Sequence, residues 1–224
     1  MGPWFNTDLY TVPQLLVFVT GCGLWALLYL ILIRNFLRDR FVEMPIVAAA
    51  SNFGWEFLWA FVFKTDMGLL MNLGYKLWFF LDVFIFAAVL RYGKDQVHIP
   101  ELRRHFRASM LLILLAFGIG YYFFTADGFD TPTGLTSGLI ANVVISGLYP
   151  LMMLRKPSLA GISTAIAWLK MLGTGLITLF AFMYFQEGAW FIKSLGLAVL
   201  ALDLYYLYLL YERIGREGRS AASA

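Results

Sequence analysis

The stretch Asn52-Phe53-Gly54-Trp55-Glu56-Phe57-Leu58-Trp59-Ala60-Phe61-Val62-Phe63 decides how the chain is read. It lies inside a long apolar run and carries one carboxylate, Glu56, with no basic residue within a helical turn. A charged carboxylate at membrane depth costs at least a few kcal/mol. The protonated state is cheaper there, because desolvation disfavours the charged form. Asn52 precedes Glu56 by four residues, so a helix puts both on one face, and Trp59 and Phe63 continue it. A protonatable acid among aromatic rings suits a site that gives a proton to something apolar. A buried acid that only bonds a neighbouring helix is the plainer alternative.

The rest of the chain has the same character. Of 224 residues 61% are hydrophobic and 14% charged, with mean hydropathy +0.74. A soluble domain is about half apolar and a quarter charged, so residues 1–224 read as one integral membrane domain. The first eleven residues carry no base, so the first apolar run is expected to be a retained span and not a cleaved leader. Seven spans of about the length a bilayer requires are expected near 13–33, 43–63, 70–90, 107–125, 134–154, 160–185 and 190–211. The fold class is therefore all-α, a polytopic seven-helix bundle. The single cysteine, Cys22, excludes an intramolecular disulfide.

Charge sets the orientation. Arg34, Arg38 and Arg40 follow the first span. Arg91, Lys94, Arg103, Arg104 and Arg107 join the third to the fourth, Arg155 and Lys156 follow the fifth, and Arg213, Arg216 and Arg219 come after the last. The opposite loops hold Asp66, Asp127, Asp130 and Glu187, against Lys64 and Lys193. The positive-inside rule then puts the N-terminus outside and the C-terminus in the cytoplasm, in a plasma-membrane or endoplasmic-reticulum setting. The basic excess reads as topology, with no nucleic-acid partner. His98 and His105 sit in a basic loop without the cysteine or carboxylate cluster of a metal site.

A faint repeat runs through the chain. Leu81-Asp82-Val83-Phe84 matches Leu202-Asp203-Leu204-Tyr205 at an offset of 121, and Tyr29 and Arg34 match Tyr149 and Arg155 at 120 and 121. Spans one to three and five to seven would be two parallel triplets joined by span four, a 3+1+3 arrangement.

Inside the spans the ionisable residues are Glu56, Asp82, Lys170 and Asp203, with the amides Asn52 and Asn142. Such residues face the bundle interior by default. At a rise of 1.5 Å per residue the three acids lie about 10, 18 and 20 Å from the outer ends of their spans, as a shared cavity would require. Lys170 is expected to pair with Asp82 or Asp203. A retinal Schiff-base lysine fits less well, because it would lie in span six. Gly138, Asn142 and Ser146, and Gly173 and Gly175, read first as close helix packing. Trp4, Tyr10, Tyr75 and Trp190 read as an interfacial belt. Trp55, Trp59, Trp78, Tyr205 and Tyr206 lie too deep for that and are candidate substrate-cavity residues, with Asn52 and Asn142.

An acid in an aromatic wall suits carbocation chemistry. It can protonate an alkene or epoxide, ring quadrupoles stabilise the travelling cation, and a dry site delays quenching by water. A second carboxylate nearby would keep the first protonated.

With these residues in view, the chain resembles the membrane-bound terpene cyclases of meroterpenoid and indole-terpenoid biosynthesis. The resemblance rests on Asn52-Phe53-Gly54-Trp55-Glu56-Phe57 in span two. It rests also on Leu202-Asp203-Leu204-Tyr205-Tyr206 in span seven, followed by Tyr211-Glu212-Arg213. It implies an isomerase- or lyase-type enzyme without a metal or other cofactor. Such an enzyme protonates a terminal olefin or epoxide of a prenylated, farnesyl-like substrate and cyclises it. It implies Glu56 and Asp203 as the catalytic acids, either one the donor, with Asp82 a third cavity residue. The expected partners are an apolar prenylated small molecule and the lipid bilayer, with no obligate protein partner. The competing class is a small proton-coupled transporter, which the 3+1+3 repeat and the intramembrane acids would also serve. A scaffold protein would leave the acids as helix glue.

Overall fold

The computed structural model describes residues 3–222, with side chains up to Arg219, and all regular structure among them is helical. Helix α1 spans Val12–Asp39. The Thr11 N–H donates to Gln14 Oε1 at 2.9 Å at its start. At its end Arg40 turns left-handed at φ 56° and donates its N–H to Phe36 O at 3.0 Å. Helix α2 begins at Ile46 behind Pro45, runs to Phe57, and widens into a π turn at Leu58–Val62. Helix α3 spans Leu69–Tyr92 and ends in a 3-10 turn at Gly93–Gln96. A short helix α4, Pro100–Arg104, occupies the long basic loop. Helices α5 (Phe106–Ala126), α6 (Leu135–Arg155), α7 (Thr164–Tyr184) and α8 (Trp190–Ala222) complete the chain.

Six of these, α1, α3, α5, α6, α7 and α8, are long and apolar enough to cross a membrane, and Ile46–Val62 is a shorter apolar helix. These seven coincide with the expected spans to within a few residues at most ends. The largest differences are at the cytoplasm-assigned ends of α1 and α8, which continue as helix into polar sequence. Exposed aliphatic and aromatic residues such as Leu112, Ile119, Phe80 and Tyr208 form the outer surface, as expected where lipid is the solvent.

The adjacencies follow the repeat. In the first triplet α3 packs on both α1 and α2; in the second, α8 packs on both α6 and α7. The triplets meet through α1 against α7 and α2 against α6, pairs that exchange when α1 is matched to α6 and α2 to α7. Helix α5 lies outside, mainly against α2. Glycine makes the central contact possible: a Cβ at Gly21 would stand 2.8 Å from Gly173 O, and one at Gly173 would stand 2.8 Å from Trp25 Cδ1.

The segment before α1 is tied down. Asn6 N–H donates to Met67 O at 3.1 Å, and Tyr10 O–H donates to Asp66 Oδ1 at 2.7 Å. Gly68 sits at φ +113°, with Trp4 O 2.6 Å from where a Cβ would be, a conformation open to glycine alone. These contacts anchor the α2–α3 loop on the N-terminal segment.

Candidate active site

Glu56 does project inward. It is 2% exposed, and its Oε1 accepts the Tyr29 hydroxyl at 2.6 Å and the Asn52 Nδ2 at 2.9 Å. The same Asn52 amide donates to Asp82 Oδ2 at 3.0 Å and approaches the Tyr29 oxygen at 2.6 Å. One amide thus links two carboxylates, and no cation joins them. Glu56 Oε2 and Asp82 Oδ1 are buried with no hydrogen-bond partner. Each carboxyl group therefore has one oxygen held by the Asn52 amide and one oxygen left free. The i, i+4 spacing of Asn52 and Glu56 on α2 produces this cluster, and α1 and α3 supply Tyr29 and Asp82.

Three members of the cluster face a cavity of about 570 Å³, open mouth included, while Asp82, expected as a third cavity residue, lies behind Asn52 and does not line it. Glu56, Asn52 and Tyr29 line it, together with Trp25, Trp55, Tyr75 and Trp78, and with Thr133, Gly134, Leu135, Gly138, Leu139, Ala141 and Asn142 from the α6 side. No lysine or arginine is among the lining residues. The aromatic rings are locked against each other. Trp55 meets Tyr75 edge-on at 5.7 Å, and Tyr75 lies 5.6 Å from Trp78. Glycines in and just before α6 receive the indoles: a Cβ at Gly138 would meet Trp55 Cζ2 at 3.1 Å, and one at Gly134, which sits at φ +70°, would meet Trp59 Cε2 at 2.4 Å. Gly138 therefore serves packing, as its spacing predicts, while Asn142 reaches the cavity.

Several expected cavity residues lie elsewhere. Asp203 does not line this cavity; it forms a buried ion pair with Lys170, whose Nζ also bonds Ser146 Oγ at 2.5 Å. The lysine thus selects Asp203 and leaves Asp82 to Asn52. Tyr206 packs on Tyr149 at 5.3 Å behind that pair, and Tyr205 is half exposed on the outer surface of α8. Adjacent residues on a helix point about 100° apart, so only one of the two tyrosines can face inward. Trp59 is buried beside the cavity, its ring tilted against Trp55, Phe63 and Tyr75, without lining it. Tyr75 leaves the interfacial belt: it is 1% exposed and donates to Thr133 O at 2.6 Å. Tyr10 leaves it too, at 1% exposed, whereas Trp4 and Trp190 remain at the surface.

Sequence reasoning passed over Tyr29 as a partner of Glu56 and Trp25 as a wall. Trp25 donates from Nε1 to Thr174 Oγ1 at 3.1 Å. The only sequence signal for Tyr29 was its place in the repeat. For Trp25 there was none.

A family model described as Pyr4-like transmembrane terpene cyclases matches residues 7–214. Among curated relatives, terpene cyclase esdpB of Penicillium shearii is 23% identical over 99% of this chain and 93% of its own length. Terpene cyclase spyD of Aspergillus fumigatus is 25% identical over 85% of this chain and 84% of its own. Terpene cyclase prhH of Penicillium brasilianum is 26% identical over 54% of this chain, a match that spans about half of that relative, 49%. No solved structure matches the chain. With a match that takes in all seven apolar helices and both acid-bearing stretches, the chain belongs to the family of Pyr4-like transmembrane terpene cyclases.

Proposed function

We propose that the protein cyclises a prenylated, farnesyl-like substrate, and that Glu56 starts the reaction by protonating its terminal olefin or epoxide. One observation carries this reading: Glu56 lines an aromatic cavity with one carboxyl oxygen held by Tyr29 and Asn52 and the other buried without a partner. That second oxygen is the one able to hold a transferable proton. The names of the relatives, all terpene cyclases, agree with it.

Proton transfer forms a C–H bond on an alkene, or an O–H bond as an epoxide C–O bond breaks. A tertiary cation results. Neighbouring double bonds attack it in turn, each forming a C–C bond and moving the charge along the chain. The faces of Trp25, Trp55, Trp78 and Tyr75 stabilise that charge. Loss of a proton from carbon ends the sequence, so the product is an isomer of the substrate. The carboxylate left on Glu56 keeps its bonds from Tyr29 and Asn52, and charge-assisted bonds of this kind are about twice as strong as neutral ones. The acid therefore becomes stronger where it is needed. Asp82, on the far side of the Asn52 amide, holds that amide in place and disfavours a second negative charge.

With no base in the wall, an uncharged head group fits better than a diphosphate.

The test is purified protein in detergent with a farnesylated aromatic compound and, separately, its terminal epoxide, followed by chromatography and mass spectrometry. A new isomer of unchanged mass is expected from one of them with wild type, and none with Glu56→Gln. Isomer formation at the wild-type rate by a folded Glu56→Gln variant would overturn the assignment of the donor.

A further inference from the structure

The loop before α6 carries a chain of hydrogen bonds that ends on a cavity wall. Trp55 donates its indole Nε1–H to Ser137 Oγ at 2.7 Å. Ser137, fully buried, donates its own hydroxyl hydrogen bond to Asp130 Oδ2. Asp130 is the fixed end. Its Oδ1 accepts the backbone N–H groups of Thr131 at 2.8 Å, Thr136 at 3.1 Å and Ser137 at 3.2 Å, and its Oδ2 accepts the Thr125 hydroxyl at 3.2 Å. It thereby caps α6, ties that helix to the end of α5, and still has an oxygen for Ser137.

We infer that Asp130 is a positioning residue for the cyclisation: acting through Ser137, it fixes the indole plane of Trp55 and so governs where the travelling cation is stabilised. The inference rests on the cyclase reading above. Its physics has two parts. The first is geometric. The indole has one donor, and anchoring that donor on α6 fixes the rotation of the ring about its Cβ–Cγ bond, with Gly138 and Tyr75 on either side. The second is electronic. An N–H that donates into a hydroxyl which itself donates to a carboxylate is polarised along the whole chain. Electron density moves into the indole, and the negative face that attracts a cation deepens. Among the described residues no other indole of the wall has such an anchor. Trp25 donates to Thr174, a neutral threonine whose hydroxyl faces Asn142 Oδ1 at 3.4 Å. A wall with one enriched indole holds the positive charge at a chosen carbon, so the effect belongs to the partition between products and less to the first proton transfer.

The experiment compares Ser137→Ala, Asp130→Asn, Trp55→Phe and the double variant Ser137→Ala/Trp55→Phe in the isomer assay. Thermal melting and 15N-indole NMR accompany it, with the Trp55 resonance assigned from Trp55→Phe. Ser137→Ala is expected to move the Trp55 N–H resonance upfield. It is also expected to raise the ratio of incompletely cyclised and water-quenched products to the main isomer about fivefold, the scale of one hydrogen bond. Asp130→Asn, which keeps the cap's shape and removes the charge, is expected to shift the ratio the same way. The double variant should give the ratio of Trp55→Phe alone, because the two act as one unit. A product ratio unchanged in both Ser137→Ala and Asp130→Asn, whatever their melting temperatures, would overturn the inference, as would additive effects in the double variant. Should Ser137→Ala not fold, Asp130→Asn with the NMR shift decides. Absence of any isomer from wild type would instead count against the cyclase reading, and the NMR shift would still report the hydrogen-bond chain by itself.

Discussion

At the scale of single residues, the hydroxyl of Tyr29 and the carboxyl of Glu43 make different demands. Tyr29 donates to Glu56 Oε1 at 2.6 Å, and under the proposed function that bond would strengthen as Glu56 gave up its proton. Tyr29→Phe keeps the ring and is expected to lower turnover by about ten- to a hundredfold, the range for a bond to a charged group. KM should change little, since the bond matters most in the transition state. Glu43 is a separate titratable site, in the loop between α1 and α2. It is 1% exposed; Ser163 N–H donates to its Oε1 at 2.7 Å, Oε2 has no partner, and Asn35, Lys156 and Asp39 lie around it. Burial pushes its carboxyl up from 4.5 to about 8. The folded protein therefore binds a proton that the unfolded chain has released between those values, so stability falls as pH rises from about 4.5 to 8. Thermal melts in detergent across that window should show a declining melting temperature, and Glu43→Gln should flatten the decline. A flat wild-type profile would mean that Glu43 is already ionised in the fold.

At the scale of elements, the Lys170–Asp203 pair joins α7 to α8, and Ser146 brings in α6. Removing one partner leaves a buried charge, a loss of about 3–5 kcal/mol. Replacing both with neutral groups is often close to neutral. Lys170→Met and Asp203→Asn are each expected to lower the melting temperature by many degrees. Lys170→Met/Asp203→Asn should recover most of it, together with cyclisation. If the double variant is stable but inactive, Asp203 takes part in the chemistry and not only in packing. The same pair shows what could be read from the chain alone. The helices were legible because apolar runs of bilayer length admit one reading, and the Asn52–Glu56 pairing followed from i, i+4 spacing. The choice of partner for Lys170 was not legible, since it depends on which helices adjoin in space. The burial of Tyr75 was legible from Asp82, seven residues on and so on the same inward face of α3, but its nearness to the end of the span argued for the interface. The position of Asp203 off the cavity was not legible, because it too depends on which helices adjoin in space.

At the scale of the whole molecule, the two triplets hold related sites with opposite charge logic. Each contains a tyrosine from its first helix, Tyr29 or Tyr149. Each contains a donor from its second, Asn52 or Lys170, and an aspartate from its third, Asp82 or Asp203. In the second triplet the donor is a cation and the site is a closed ion pair. In the first the donor is a neutral amide, a further acid joins it, and the site faces a cavity. Under the proposed function, the amide in place of an ammonium is what lets a carboxyl keep its proton. An ammonium beside Asp82 would stabilise the ionised form of both acids and leave Glu56 no proton to give. Asn52→Lys is therefore expected to abolish cyclisation while retaining a melting temperature near that of wild type, because it recreates in the first triplet what α7 and α8 already tolerate. Asn52→Leu is the control. It leaves both carboxyls without their shared donor, so it should lower stability by about 1–3 kcal/mol and reduce turnover without abolishing it, since Tyr29 still holds Glu56. The outcomes are read from isomer yield and melting temperature on the same detergent preparations. An Asn52→Lys variant that folds and cyclises normally would show that the amide's neutrality is irrelevant to the reaction.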